Sequence, residues 1–306
     1  MIPRVQPMLA TLVKEPFHQP GWIYEEKYDG YRILAYKEGP RVTLLSRNAK
    51  DRTDHFQSIA LAVSALRHET LLLDGEVVAF DRRGVSRFQL LQNLAGNQHF
   101  AVFDCLYVDG RDLRGQPLRS RRAELEKILG KPAGKRPTLF SSTRLAADGL
   151  KAYEIAKRKG FEGVVAKEEP SLYVPGRSSK WLKFKVKLED EFIIVGYTAP
   201  TGAREHFGAL LLAAYEGDRL EYVGKVGTGF SQETLAELFR KFQPFVRSKP
   251  TVANPPRERD VTWLAPRVVA QIAYGEWTDD RKIRQPVFLG LRDDKSPGEV
   301  TLPVAK

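Results

Sequence analysis

The sequence predicts an α+β protein in two domains, residues 1–187 and 188–306, and three observations carry that reading. The first part mixes strand-like runs with stretches of helical periodicity. Beyond the charged stretch Lys183 to Glu191 the texture changes to short strands, glycine-bearing turns and one helix, the pattern of a small β-barrel. Charge changes at the same place: 33 basic and 21 acidic residues in 1–187 give +12, whereas 16 and 17 in 188–306 give −1.

The elements follow in order. Apolar, β-branched or aromatic runs bounded by Gly, Asp or Pro predict strands at Trp22 to Glu26, Arg32 to Lys37, Val42 to Leu45, Leu71 to Phe80 and Phe100 to Val108. Helical spacing places Ile59, Ala62, Val63 and Leu66 on one face. It groups Ala123, Leu125, Ile128 and Leu129 ahead of a stop at Gly130, and Leu150, Tyr153 and Ala156 ahead of Gly160. Arg119-Ser120-Arg121-Arg122 and the segment Lys131 to Pro137 interrupt this pattern with charge and turn formers and read as solvated loops. In the second part, strands are expected at Phe192 to Thr198, Ala209 to Tyr215, Leu220 to Val226, Val268 to Glu276 and Val287 to Leu291. Ser231 is placed as the N-cap of a helix whose apolar face carries Leu235, Leu238, Phe239 and Phe242.

Composition excludes several classes. With 42% hydrophobic and 10% aromatic residues in 306, the chain builds real cores, and no run approaches the ~18 apolar residues needed to cross a bilayer. The start, Met1 to Pro7, lacks a secretory signal, and the single cysteine, Cys105, forms no intramolecular disulfide, so a reducing cytoplasm is the expected location. The five histidines show no metal-ligand spacing. A net charge of +11 points to a polyanionic partner such as nucleic acid, held mainly by the first part.

The chemistry begins with Lys27-Tyr28-Asp29-Gly30-Tyr31-Arg32, which puts a lysine at a strand end beside a tight turn. A lysine attacks only as the free amine, and bringing one from about 10.4 to near 7 takes roughly 4–5 kcal/mol of differential interaction, so other cations should crowd it. Lys183 and Lys185 lie two apart on a strand-like segment, so both point the same way and together suit one phosphate. Glu76 and Glu162 adjoin apolar strand-like runs and suit a hard cation such as Mg²⁺ or Mn²⁺.

The order Lys27-Tyr28-Asp29-Gly30, Ser46-Arg47-Asn48, Asp74-Gly75-Glu76, Phe103-Asp104, Glu162 to Lys167, Trp181 to Lys185 and Arg292-Asp293-Asp294-Lys295 resembles the ordered motifs of the covalent nucleotidyltransferases. Within them the chain is similar to ATP-dependent DNA ligases, most of all the ligase module of bacterial DNA ligase D. Glu26 to Arg32 and the run Pro266 to Lys295 support that closer resemblance, which spans essentially the whole chain. The motifs are specific jointly, far less so singly.

The resemblance implies a nucleotidyltransferase (adenylation) domain of antiparallel sheets with flanking helices, then an OB-fold domain. It implies three steps: Lys27 takes AMP from ATP, AMP passes to a nick 5′-phosphate, and the 3′-hydroxyl displaces it. Glu25, with Glu26 as the neighbouring register, is implied for the adenine amino group, and Phe103, otherwise a core residue, for stacking on the base. Arg32 and Arg47 are implied for phosphates, as is Lys167, and Asp29 for the 3′-hydroxyl side of the nick. The family places the Glu162 carboxylate on metal and the Glu76 carboxylate near the ribose. Lys183 and Lys185 fall to the α-phosphate, and Arg292, Asp294 and Lys295 to the pyrophosphate in the first step only, which requires the barrel to move about a hinge near 186–190. Because Lys27 lies close to the start, a stand-alone, minimal ligase is expected; it is further expected to be a monomer acting on nicked double-stranded DNA in repair or end joining, with a Ku-type end-binding protein as a candidate partner. The competing readings are a capping-type guanylyltransferase, an RNA ligase and a non-catalytic DNA-binding module.

Overall fold

The computed structural model describes residues 2–92, 97–130, 137–186, 188–200, 205–258 and 260–302. They fall into two compact units, Met1–Lys187 and Leu188–Lys306.

The first unit contains two sheets. One runs in the order Met8–Leu12, Gly176–Lys185, Gly163–Glu168, Trp22–Lys27 and Arg144–Ala146. The other runs Arg41–Ser46, Tyr31–Glu38, Thr70–Ala79, Gln98–Val108 and Arg111–Asp112, with Leu139–Ser141 also joined to Gln98–Val108. Pairing is antiparallel except where Met8–Leu12 meets Gly176–Lys185 and where Leu139–Ser141 meets Gln98–Val108, so the sheets are mixed rather than purely antiparallel. Apolar residues of both sheets form one shared layer, Met8, Ile23 and Trp181 from the first against Leu34, Leu72 and Phe103 from the second. Period-two alternation sends the intervening residues outward. Tyr24, Val164 and Phe184 pack on Ala152 and Ala156 of the helix Gly149–Lys159, and Ile33, Leu73 and Val102 pack with Ile59 and Val63 of Gln57–Ser64 and Leu125 of Leu118–Leu129.

The helix Gly149–Lys159 is bounded by chemistry: Asp148 accepts from Lys151 N at its start, and Gly160 takes the left-handed conformation at its end. Its inward face is made of Gly149, Ala152 and Ala156, while Leu150 is exposed. The small residues let helix and sheet approach closely, which is why the bulkier leucine sits outside. Ala123 is likewise exposed on its helix.

One expected loop needs correction. Arg119, Ser120, Arg121 and Arg122 lie inside the helix Leu118–Leu129, and Arg121 and Arg122 are buried. Lys131 to Arg136 lie outside the described residues.

The second unit holds a six-stranded antiparallel sheet in the order Arg219–Val226, Leu210–Glu216, Glu189–Thr198, Val261–Ala273 and Val246–Arg247, with Val287–Leu291 on the far side of Val261–Ala273. Register shifts at Ile194/Gly196, Leu212/Ala213 and Gln271/Ile272 bend it in the manner of a small barrel. The strand expected from Val268 begins at Val261. Pro266 reads as a breaker, but pairing with the neighbour jumps from Val268 to Trp263, so the proline sits where no ladder donor is needed. The helix is Gln232–Phe242, capped by Ser231 accepting from Thr234 N, with Leu235, Leu238 and Phe242 buried.

The expected hinge at 186–190 is shorter than the sequence suggests. Val186 N donates to Glu162 O, Tyr274 N donates to Leu188 O, and Glu189 and Asp190 already pair with Ala273 and Ile272. Only Lys187 separates these anchors, and it lies outside the described residues. Among the described residues, no helix is long and apolar enough to cross a membrane.

Candidate active site

Strand register alone assembles the site. Glu25 pairs with Val165 and Val165 with Lys183; Lys27 pairs with Gly163 and Gly163 with Lys185; Ile23 pairs with Lys167 and Lys167 with Trp181. Directly paired residues share a face, so Glu25, Lys27, Lys167, Lys183 and Lys185 all project from the surface that meets the second sheet. From the second sheet, Arg32 pairs with Glu76 and Leu34 with Asp74, placing Arg32, Asp74 and Glu76 on its facing surface.

Two glycines permit this closeness. A Cβ on Gly163 would lie 2.3 Å from Phe184 O, and one on Gly30 would lie 2.1 Å from Val77 O. The glycines of both motifs are therefore demanded by backbone packing.

Lys27 forms an ion pair with Glu162, which is 8% exposed. Burial pushes the Glu162 carboxyl upward, but Lys27, Lys185 and Lys183 in that order outweigh it and hold it below the usual carboxylate range. The site is thus a carboxylate kept ionised by three lysines, two of them on one strand.

Glu25 is 1% exposed, with Oε2 accepting from Lys167 Nζ at 2.7 Å and Oε1 lying 2.7 Å from Arg122 Nη1. Burial would raise its carboxyl, yet Lys167 and Arg122, with a smaller contribution from Ser142, leave it lowered. Glu26 takes the opposite face, beside Tyr24, with a buried Oε1 that has no hydrogen-bond partner. Alternation therefore separates the two glutamates.

Burial pushes Glu26 up to about 8, only partly offset by Lys159. The folded chain thus retains this proton while the unfolded chain releases it near 4.5, so the stability it contributes is present below 4.5 and lost as pH rises toward 8. Glu26→Gln is expected to be more stable than wild type by a margin that widens over that window, at up to ~1.4 kcal/mol per pH unit. Urea unfolding at pH 5 and pH 8 reads the margin, and a constant gap would contradict it.

Several expected site residues are engaged elsewhere. Lys167, expected on a phosphate, is 2% exposed, held by Glu25, and lies 4.2 Å from the Phe103 ring centroid and 4.3 Å from that of Trp181. Arg32 grips buried Asp74 through both oxygens at 2.5 and 2.7 Å and lies 4.4 Å over Phe103. Phe103 is consequently both core and a platform ringed by cations. Asp29 Oδ2 accepts from Phe88 N at 3.1 Å and its own N donates to Ser86 Oγ, so the carboxylate braces the turn ahead of the helix Phe88–Gln92. Arg47 is half-buried in the turn after Arg41–Ser46.

In the second unit, Arg292 is buried and bidentate to Asp294 at 2.9 Å through both oxygens, and its Nη1 donates to Gln271 Oε1 at 3.2 Å. Glu191 Oε1 lies 3.7 Å from Arg292 Nη1 and 3.6 Å from Lys295 Nζ. These three expected residues form one ordered cluster with Glu191.

Sequence reasoning missed Arg121, Arg122 and Ser142. Arg121 is bidentate to fully buried Asp104 at 2.8 Å, and Arg122 Nη1 donates to Ser142 Oγ at 2.7 Å. A signal did exist: Leu118, Arg121, Arg122 and Leu125 occupy the i, i+3, i+4, i+7 stripe of a buried face, with arginines in its two middle positions. Among the described residues, no group of three or more His, Cys, Asp or Glu side chains is arranged to hold a metal.

A family profile described as "ATP dependent DNA ligase domain" matches residues 7–185, and one described as "ATP dependent DNA ligase C terminal region" matches residues 203–295. The chain is 41% identical to the multifunctional non-homologous end joining protein LigD of Pseudomonas aeruginosa, over 97% of this chain and 36% of that protein. It is 34% identical to a DNA ligase of Thermococcus fumicolans, over 96% of this chain and 57% of that protein. The solved structure described as "mycobacterial DNA ligase D complexed with ATP and MES" superposes with a TM-score of 0.72 at 34% identity, covering 97% of this chain and 98% of that one. The chain thus spans between about a third and three fifths of the curated relatives it matches. The fold is that of a nucleotidyltransferase domain with an OB-fold domain. With profiles matched in both units, the chain belongs to the ATP-dependent DNA ligases.

Proposed function

We propose that the chain seals 5′-phosphate/3′-hydroxyl nicks in double-stranded DNA through a covalent Lys27–AMP intermediate, with residues 1–187 as the adenylation domain and 188–306 as the OB-fold domain. The observation that carries the reading is the Lys27–Glu162 pair with Lys183 and Lys185 on the same sheet face. Lys27 Nζ attacks the α-phosphorus of ATP and expels pyrophosphate, losing a proton as the P–N bond forms. Lys183 and Lys185 offset charge on the phosphoryl oxygens, first as AMP joins Lys27 and then as it moves to the nick. Glu25 selects the base, Phe103 stacks on it, and Glu76 lies near the ribose. Arg32, Arg47 and Lys167 serve the phosphates, Arg32 after loosening its present pair and Lys167 through N–H groups that Glu25 does not use, and Asp29 supports the 3′-hydroxyl side. Arg292, Asp294 and Lys295 orient the pyrophosphate. Ionised Glu162 fits Mg²⁺ or Mn²⁺ as a hard oxygen ligand completed by phosphate and water, with Glu76 as a second carboxylate; such an ion would polarise the phosphoryl group. End joining with a Ku-type partner, action as a monomer and a bacterial cytoplasmic or nucleoid location complete the reading.

Incubation with labelled ATP or GTP and Mg²⁺, then denaturing electrophoresis, is expected to give a labelled chain from ATP and a sealed nicked duplex; label from GTP alone overturns the proposal. Because the excess of +12 in 1–187 meets a polyanion, affinity for nicked duplex is expected to fall with salt. Two or more phosphate contacts imply at least about a tenfold loss between roughly 50 and 200 mM, and titrations showing a flat dependence would remove the basic-surface argument.

A further inference from the structure

We infer that Arg122 and Ser142 are positioning residues for base selection, holding the Glu25 carboxylate so that it accepts the 6-amino group of an adenine nucleotide and disfavours a 6-oxo purine. The inference rests on the ligase reading above and assigns the residues that make its base contact work.

Arg122 reaches inward from the helix Leu118–Leu129 and is 2% exposed. Its guanidinium is fixed on two sides: Nη1 and Nη2 donate to Ser142 Oγ at 2.7 Å and Ser142 O at 3.3 Å, and Nη1 lies 2.7 Å from Glu25 Oε1. Ser142 is held in turn by its own N donating to Val102 O of the second sheet at 2.7 Å. Lys167 Nζ donates to the other carboxylate oxygen at 2.7 Å. Glu25 Oε1 is buried beside the Arg122 guanidinium and the Ser142 hydroxyl, and the guanidinium is poorly aligned for a hydrogen bond to it. A carboxylate oxygen held in this way keeps acceptor capacity for a ligand donor. It stands on the face that carries Lys27, two residues along the same strand. An ionised carboxylate there attracts an exocyclic amino group and repels a carbonyl oxygen, and a site built to bond a group discriminates against analogues lacking it. Removing Arg122 takes away one of the two cations that offset the burial of Glu25, so the acceptor loses both charge and aim.

The test is a cycle between Arg122 and the amino group. Initial rates of Lys27 adenylylation are measured with ATP, with purine riboside triphosphate, which lacks the 6-amino group, and with GTP, for wild type, Arg122→Gln, Arg122→Lys and Ser142→Ala. Wild type is expected to prefer ATP to the 6-unsubstituted analogue by about 10- to 100-fold in kcat/KM, the range of a hydrogen bond to a charged group. In Arg122→Gln the preference is expected to collapse to within about threefold, through a raised KM for ATP with little change in kcat or in use of the analogue. Arg122→Lys restores part of the preference. Ser142→Ala reduces it and carries the test alone should Arg122→Gln not fold. Equal losses with ATP and the analogue, or an undiminished ATP preference in both Arg122→Gln and Ser142→Ala, overturn the inference. A wild-type chain that is labelled but uses ATP and the analogue equally well overturns it while sparing the ligase reading, whereas a wild-type chain labelled by no triphosphate overturns both.

Discussion

Lys27→Ala is expected to lower adenylylation and nick sealing by more than ~10⁴-fold, because no other nucleophile can form the P–N bond from the same position. Lys183 and Lys185 share its face, but register places them one strand beyond Gly163–Glu168, opposite Val165 and Gly163. They sit beside Lys27's carboxylate partner rather than in Lys27's place. Lys27→Arg is expected to be equally inactive, since a guanidinium does not deprotonate in this range. Binding of nicked duplex is expected to stay within about threefold of wild type, because one charge among many contributes little to a polyelectrolyte interaction. The checks are a denaturing gel with labelled ATP and a fluorescence titration with nicked duplex. Undiminished closure by either variant would place the nucleophile elsewhere.

The largest expected effect on stability belongs to Arg121. Arg121→Ala leaves Asp104 without its bidentate partner at a position with no exposure, and breaking a buried pair from one side costs about 3–5 kcal/mol. Arg121 Nη1 also serves the carbonyls of Gln116 and Ser171, at 2.6 and 3.0 Å, so two backbone acceptors lose a donor as well. Burial already pushes the Asp104 carboxyl above its ordinary value with the arginine present. Protonation therefore relieves the variant more than wild type, and the gap between them is expected to narrow from pH 7.5 to pH 5.5. Urea unfolding at the two pH values measures it, and a loss under ~1 kcal/mol would show that the pair is dispensable.

These residues show where reading from sequence stops. The strands Tyr31–Glu38, Gln98–Val108 and Val287–Leu291 are legible because alternation and bounding turns are local properties. Lys183 and Lys185 are legible for the same reason: a two-residue spacing on a strand has one geometric meaning. Arg121 and Arg122 are not, because a run of arginines reads as solvated until partners distant in sequence, Asp104 and Glu25, are brought to it. Asp29 shows a structural part that its motif does not announce: one carboxylate oxygen accepts from the amide of Phe88. Pro266 hides half a strand, since its tolerance depends on a bulge that only pairing reveals.

Arg121 and Arg122 leave consecutive positions of one helix for carboxylates on different sheets, Asp104 on the second and Glu25 on the first. The gap between the two walls is therefore gauged by two arms reaching from a common rod as well as by the apolar layer that fills it. Altering either arm is expected to change the spacing of the walls as well as the ion pair that arm makes.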